Sequence, residues 1–321
     1  MEEIIKNFPK QFAWEPEIQN TEHWKQYASF ILVGMGGSGL PGDILKMLNP
    51  QLDVLVHKDY GLPPLPKEAF NERLVIANSY SGNTEEPLSA FEEAIQRNLP
   101  VAALSMDGKL LSLARKHDTP YVQIPDTGVQ PRMGLGFAVR ALLKITGQEQ
   151  LLKETESLVS QLSFAAAQEQ GKNLAQVLAG KVPIIYSSTQ NLAIAFTWKL
   201  KFSETAKIPA FHNVLPELNH SEINGFDVTE NTKKLSERFS FLFLRDTKDH
   251  PRVQKRFEVL EKLYKKRGFA VEVIELQGSS ACFKIFSSFL LADWATYYTA
   301  LAYGNDPEQV PMVEEFKKII G

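Results

Sequence analysis

Two short loops of this chain combine residue types that bind phosphate in proteins. The first, Gly34-Met-Gly-Gly-Ser-Gly39, directly follows the apolar run Phe30-Ile-Leu-Val33. The second, Asn78-Ser-Tyr-Ser-Gly-Asn-Thr-Glu-Glu86, supplies three hydroxyls around one glycine. Amides at a helix N-terminus carry partial positive charge and hydroxyls add directed donors, so such loops can hold a phosphate monoester without a lysine. The candidate phosphate ligands are Gly37, Ser38, Ser79, Ser81 and Thr84.

Each loop also has a simpler interpretation. The first matches G-x-G-x-x-G, typical of dinucleotide sites, but the next strand, Val54-Leu-Val56, ends in His57-Lys58 and lacks the acidic residue that holds a ribose. In the second loop, Thr84 alone would be a helix N-cap, the commoner role for such a residue. Three hydroxyls around a glycine, at the carboxyl end of a parallel strand, favour phosphate binding over capping.

The segments around the loops alternate between short apolar runs and helical stretches of about ten residues. This alternation predicts parallel strands buried on both faces and joined by right-handed crossovers. It resumes after a helical stretch from about Gln148 to Ala179, so we expect an α/β fold with two domains, 1–150 and 151–321. The first helix is predicted to begin near Ser38. The predicted strands cover residues 30–33, 54–56, 74–77, 101–104, 121–124, 182–186, 239–244 and 271–274.

Composition argues against several classes of protein. The 321 residues include 35 Lys plus Arg and 38 Asp plus Glu, a net charge of −3, so we expect neither a nucleic-acid nor a membrane partner. The one cysteine, Cys282, cannot form an internal disulfide, and the acidic start MEEIIKNF is unlike a secretory signal, so we expect a cytoplasmic protein. The longest apolar stretch, Phe283 to Tyr303, contains Lys284 and Asp293, which predicts a buried helix.

Four further residues have side chains suited to proton transfer or charge stabilisation. Glu204 ends an apolar helix, and partial burial there would make its carboxylate a better base. His220 carries an imidazole, whose ordinary pKa of about 6.5 suits proton transfer at neutral pH. Arg132 could stabilise an oxyanion in a transition state, and Lys317 lies near the C-terminus. Taken alone, Glu204, His220 and Lys317 are more commonly solvated or structural groups, and Arg132 is explained equally well as a surface arginine in a loop.

Three sequence strings together resemble the bifunctional phosphoglucose/phosphomannose isomerase family, within the sugar isomerase (SIS) domain superfamily. They are Gly34-Met-Gly-Gly-Ser-Gly39, Ser79-Tyr-Ser-Gly-Asn-Thr-Glu-Glu86 and Pro216-Glu-Leu-Asn-His-Ser-Glu-Ile223. The second string is typical of SIS domains in general and the third of this isomerase family. The resemblance implies two SIS domains, each a parallel sheet flanked by helices in a flavodoxin-like three-layer fold. It also implies a homodimer in which sugar phosphate lies between domains.

The resemblance further implies a reaction and the residues that perform it. Members of this family interconvert glucose 6-phosphate and mannose 6-phosphate with fructose 6-phosphate through an enediol. By this similarity Glu204 transfers the proton between C1 and C2, and Arg132 stabilises the enediolate. Ring opening is assigned to His220 and Lys317, with the histidine reaching the active site of the partner subunit.

Other functions remain open on the sequence. A non-catalytic SIS module that senses a sugar phosphate would keep the hydroxyl loops without the bases, and the presence of both Glu204 and His220 disfavours it. The Pro-Glu-Leu-Asn-His string disfavours an amino-sugar phosphate isomerase. The six histidines include no i, i+4 pair and no cysteine set accompanies them, so we expect no metal and no cofactor. Val310 aligns with a family hydroxyl associated with acceptance of both sugar epimers, so the preference between glucose and mannose phosphates is not predicted.

Overall fold

A computed structural model of the chain describes residues 1–320, which form two compact units. The N-terminal unit is Lys6–Leu162, and the C-terminal unit joins Met1–Ile5 to the chain from Ser163 onward. Each unit has its own sheet flanked by helices, so the predicted α/β class with two parallel sheets is confirmed. Among the described residues, no helix is both long and apolar enough to cross a membrane.

The N-terminal unit contains a six-stranded sheet in the order β1-β6-β5-β4-β2-β3, parallel except for the pairing of β1 with β6. Its strands are β1 (Ile18–Gln19), β2 (Ser29–Val33), β3 (Asp53–His57), β4 (Arg73–Asn78), β5 (Val101–Ser105) and β6 (Tyr121–Gln123). Helix α1 (Glu2–Asn7) contains the boundary between the units, and the other helices are α2 (Gly36–Leu48), α3 (Glu85–Gln96), α4 (Gly108–Lys116), α5 (Leu135–Ile145), α6 (Glu149–Glu156) and α7 (Leu158–Gln161).

The core of this unit lies on the faces of the central strands. Val75 and Ala77 of β4 lie on the same face, because side chains alternate along a strand, and they pack with Phe91 of α3 and Leu111 of α4. Burying one such large aliphatic or aromatic side chain stabilises the fold by roughly 1.5–3 kcal/mol. The apolar runs of the sequence therefore determine where the strands end, and the strand ends form the carboxyl edge of the sheet.

The C-terminal unit contains a four-stranded parallel sheet in the order β10-β9-β7-β8. Its strands are β7 (Val182–Ser188), β8 (Phe211–Leu215), β9 (Phe239–Asp246) and β10 (Ala270–Leu276). Its helices are α8 (Phe164–Val177), α9 (Leu192–Lys201), α10 (Leu218–Ser221), α11 (Lys233–Ser236), α12 (Pro251–Lys266), α13 (Ala281–Ala302) and α14 (Pro311–Ile320). The core beneath α12 is rich in aromatic rings, with Phe241 and Tyr264 only 4.3 Å apart between centroids.

Several elements differ from the predicted ones. Helix α2 begins at Gly36, two residues before Ser38, and the predicted helical stretch 148–179 is three helices that end at Glu156, Gln161 and Val177. Strands β1 and β8 were not predicted, because β1 has two residues and β8 contains polar His212 and Asn213. Prediction missed these short or polar elements because they lack a continuous apolar run.

The N-terminal unit ends at Leu162, and the chain continues into the C-terminal unit at Ser163. The predicted domain boundary, residue 150, lies within α6. The Arg140 guanidinium explains why α6 belongs to the N-terminal unit. It is buried in α5 and donates hydrogen bonds to the Thr155 hydroxyl at 2.7 Å and to the Leu152 carbonyl at 3.0 Å. A buried guanidinium needs such acceptors, so α6 stays attached to α5.

Candidate functional site

The two hydroxyl and glycine loops lie together at the carboxyl edge of the N-terminal sheet. Strands β2 and β4 are neighbours, but the chain continues from β2 to β3 on one side and from β4 to β5 on the other. Such a reversal of strand order opens a crevice in which open α/β sheets bind ligands. We call the loops Gly34–Gly39 and Ser79–Thr84 at this point the N-terminal crevice.

Close backbone packing requires glycine at several positions of the N-terminal crevice. A Cβ atom on Gly34 would lie 2.6 Å from the Ser38 carbonyl oxygen. A Cβ atom on Gly82, whose φ is +74°, would lie 1.7 Å from the Asp107 carbonyl oxygen. Both distances are far below van der Waals contact, so the glycines let α2 and α3 begin directly at the ends of their strands. The first amides of each helix have no intrahelical acceptor and remain available to an anion.

The predicted phosphate hydroxyls have different surroundings. Ser79 is fully buried and holds the loop together, since its hydroxyl accepts from the Gly82 amide at 3.1 Å and donates to the Thr84 hydroxyl at 2.9 Å. The half-buried Ser38 hydroxyl accepts from the Tyr80 amide at 3.1 Å, which joins the two loops. Ser81 is exposed. Thr84 occupies the N-cap position of α3, but its side chain makes no capping hydrogen bond.

Arg132 lies beside the first loop. It is 3% exposed, in a short 3₁₀ turn, Pro131–Met133, that precedes α5. Its backbone nitrogen is 3.6 Å from the position that a Cβ atom on Gly37 would occupy, an ordinary contact distance. The structure therefore brings Arg132 together with the predicted phosphate ligands, all within the N-terminal unit.

Glu204 lies in the C-terminal unit, in a single π-helical turn, Phe202–Ala206, that continues α9. We call Phe202–Ala206 the glutamate turn. Just before it, the Lys201 ammonium donates to the Asp293 carboxylate of α13 at 2.5 Å, and both side chains are buried. Isolated π-helical turns occur frequently at functional sites, and the one here carries a half-buried carboxylate.

His220 is exposed on the short helix α10. Two neighbours hold its segment to the rest of the C-terminal unit. The Asn219 amide oxygen accepts from the Arg256 guanidinium at 3.1 Å, and the Glu222 carboxylate accepts from the buried Tyr186 phenol and from Asn213. Burial, together with Tyr264 and Glu222, raises the pKa of Tyr186 far above its ordinary value, so this phenol remains a donor.

Lys317 is exposed on α14, where its ammonium pairs with Glu314 one turn earlier at 3.0 Å. Glu204, His220 and Lys317 thus lie on three separate elements of the C-terminal unit. Sequence reasoning did not identify Glu222 or Tyr186 as the groups that hold the His220 segment. The position of Glu222 in the same string was the one available signal, and its buried partner Tyr186 follows only from the fold.

The C-terminal sheet has a corresponding reversal between β7 and β9. We call Ser188–Asn191, Asp246–Asp249 and Lys284 at this point the C-terminal crevice. The Asp246 carboxylate accepts from the Lys284 ammonium at 2.5 Å and from the Asn191 amide at 3.2 Å. Burial opposes ionisation of Asp246, but the bonds from Lys284 and the Lys248 amide outweigh it and lower its pKa. Burial raises the pKa of the neighbouring Asp249.

Comparison with known proteins identifies the family of this chain. Residues 167–320 match the model described as the bacterial phospho-glucose isomerase C-terminal SIS domain. A bifunctional phosphoglucose/phosphomannose isomerase from Aquifex aeolicus is 34% identical over 98% of this chain and 96% of its own length. The chain belongs to the bifunctional phosphoglucose/phosphomannose isomerase family.

Other comparisons agree with this membership of the isomerase family. A second isomerase of the same name, from Caldicellulosiruptor bescii, is 34% identical over 99% of this chain and 98% of its own length. The tagatose-6-phosphate ketose/aldose isomerase of Escherichia coli superposes with a TM-score of 0.70 at 17% identity, covering 95% of this chain and 93% of that one. The structural likeness supports the SIS fold, and the full-length sequence similarity identifies this isomerase family.

Among residues 1–320, no group of three or more His, Cys, Asp or Glu side chains is arranged to hold a metal ion. The polar groups that the described structure gathers at the N-terminal crevice include backbone amides, hydroxyls and one buried arginine. These groups can hold an anion and stabilise negative charge that develops near it.

Proposed function

We propose that this chain interconverts glucose 6-phosphate and mannose 6-phosphate with fructose 6-phosphate, without a metal or another cofactor. In the direction of the ketose, a base removes the proton from C2 of the open-chain aldose and the carbonyl oxygen O1 takes up a proton, which gives a cis-enediol. The same proton is delivered to C1 while the O2 hydroxyl gives up its proton to become the ketone. Membership of the isomerase family over nearly the whole chain is the observation that carries this proposal.

The N-terminal crevice is the proposed phosphate site. The first amides of α2 and α3, including that of Gly37, would donate to the phosphate together with the hydroxyls of Ser38, Ser81 and Thr84. Ser79 would orient Thr84 through its hydrogen bond. The burial of Arg132 next to Gly37 supports a role for its guanidinium on the enediolate, because a charge-assisted donor is stronger in a site shielded from water.

The acid–base groups are proposed for the C-terminal unit. Glu204 would carry the proton between C2 and C1, since a half-buried carboxylate can accept and return a proton at one position. His220 and Lys317 would open the sugar ring by moving a proton to the ring oxygen and from the O1 hydroxyl. The exposure of His220, on a segment held by Asn219 and Glu222, supports its action in the active site of a second copy of the chain, in a homodimer. We expect this homodimer to be cytoplasmic.

A coupled assay tests the activity. Purified protein in excess EDTA is given fructose 6-phosphate, and glucose 6-phosphate and mannose 6-phosphate are detected by separate coupling enzymes. We expect both products. One product alone would indicate a specialised isomerase, and binding of fructose 6-phosphate with no product would favour the sugar-phosphate sensor instead.

A substitution tests the proposed base. Glu204→Gln keeps the size of the side chain and one acceptor oxygen but cannot accept the C2 proton, so we expect turnover to fall by at least a thousandfold while fructose 6-phosphate still binds. Glu237→Gln, at an exposed glutamate of the same unit, is the matched control and should retain full turnover. Retained turnover in Glu204→Gln would remove this residue from the mechanism.

A further inference from the structure

The last three carbonyls of the glutamate turn all accept hydrogen bonds from side chains. The Lys207 ammonium donates to the carbonyl oxygens of Glu204 at 3.1 Å and Thr205 at 3.3 Å. The Asn305 side-chain amide donates to the carbonyl oxygen of Ala206 at 2.9 Å. Carbonyls at a helix end need such partners, because no following turn supplies amides to them.

The same two side chains join the glutamate turn to the C-terminal segment. The Lys207 ammonium also donates to the carbonyl oxygen of Asp306, next to Asn305. Asn305 and Asp306 lie in the loop between α13 and α14, and α14 carries Lys317. The elements that carry the proposed base and the proposed ring-opening lysine are therefore connected through Lys207, Asn305 and Asp306, which we call the 207–306 clasp.

The backbone of Lys207 indicates that its side chain has a particular role. Its φ is +57°, in the left-handed region that ends many helices and that favours glycine. A glycine at this position would adopt the same backbone without strain but would form none of the three hydrogen bonds of the ammonium. A strained residue that persists at a candidate site is a reason to ask what its side chain does there.

We propose that Lys207 and Asn305 are positioning residues. They keep the Glu204 carboxylate and the segment carrying Lys317 at the distance and orientation that proton transfer requires. This inference rests on the proposed function. Rotation of the turn's carbonyls would rotate Glu204 with them, and a displacement of about 1 Å in a reacting group can slow a reaction about a hundredfold. The clasp acts on the proton-transfer step and leaves phosphate binding unchanged, because the proposed phosphate ligands belong to the other unit.

The test compares Lys207→Gly with the wild-type protein. We expect kcat for fructose 6-phosphate to fall at least tenfold while KM stays within about twofold. The melting temperature should fall only slightly, because relief of the left-handed strain offsets part of the loss of the three hydrogen bonds of the Lys207 ammonium. Asn98→Gly is the matched control, since Asn98 has a φ of +54° at the end of α3 and its substitution should leave kcat unchanged.

A second variant, Asn305→Ala, removes only the bond to Ala206 and should lower kcat by a smaller factor, also without a change in KM. A kcat within twofold of wild type in both variants, with Glu204→Gln inactive, would overturn the positioning role and leave the proposed function intact. A loss of kcat that only follows a loss of folded protein would also overturn it. Turnover retained in Glu204→Gln would instead refute the proposed base, and this inference with it.

Discussion

The two crevices occupy the same place in their sheets, but different groups line them. The N-terminal crevice contains glycines, hydroxyls and two helix N-termini, and neither of its loops carries a charged side chain. In the C-terminal crevice, the Asp246 carboxylate and the Lys284 ammonium form an ion pair, and Asp249 lies beside them. Ligands bind at such reversals of strand order only where space and unpaired donors remain. Equivalent topology therefore provides one candidate ligand site and one internal polar network.

The largest effect is expected from Gly82→Ala in the N-terminal crevice. The new methyl group would meet the Asp107 carbonyl at 1.7 Å and the left-handed backbone would be strained, so the free energy of unfolding should fall by about 3 kcal/mol or more. Phosphate affinity, measured by calorimetry with inorganic phosphate, should be lost.

Gly128→Ala is the control for that substitution. Gly128 has a similar φ of +69°, but a Cβ atom there would meet no atom within 4 Å. Only the cost of the left-handed backbone, about 1 kcal/mol, should appear in urea unfolding. An equal decrease in the free energy of unfolding in Gly82→Ala and Gly128→Ala would show that the close approach to Asp107 does not determine the structure of the N-terminal crevice.

A smaller effect is expected from Lys284→Met in the C-terminal crevice. Asp246 would be left buried without its cation, so the free energy of unfolding should fall by about 3 kcal/mol, and adding Asp246→Asn should recover part of the loss. The kcat and KM of the folded variant should match those of the wild type. A raised KM for fructose 6-phosphate would contradict the assignment of the C-terminal crevice as an internal polar network, because it would make this crevice part of the substrate site.

The smallest effect is expected from Asp249→Asn. Burial raises the pKa of Asp249 in the folded protein, so the folded state binds its proton more tightly than the unfolded state. The stability that this proton provides is present at low pH and is lost as pH rises through the folded pKa. Asparagine cannot ionise, so the variant should have a higher urea midpoint than the wild type at pH 7 and an equal one near pH 3. A lower midpoint at pH 7 would show that the carboxylate itself stabilises the crevice.

Prediction from sequence succeeded where residues are contiguous. The strand ends, the glycine loop and the hydroxyl loop are each a single string, and parallel topology brings them to one edge of the sheet. Prediction could not find partners from distant segments, such as Tyr186 for Glu222 or Lys284 for Asp246, because only the fold sets those distances. It also could not distinguish Ser79, whose hydroxyl is used inside the loop, from the exposed Ser81.

The hydrogen bonds of Arg140 determine how this chain could be divided for separate expression. A fragment that stops at residue 150 would include Arg140 but lack Leu152 and Thr155, its acceptors in α6. The guanidinium would then keep its bond to the Trp14 carbonyl, but its other donors would be buried without these acceptors or would draw water into the base of α5. A soluble N-terminal half therefore has to extend to Leu162, where the compact unit ends.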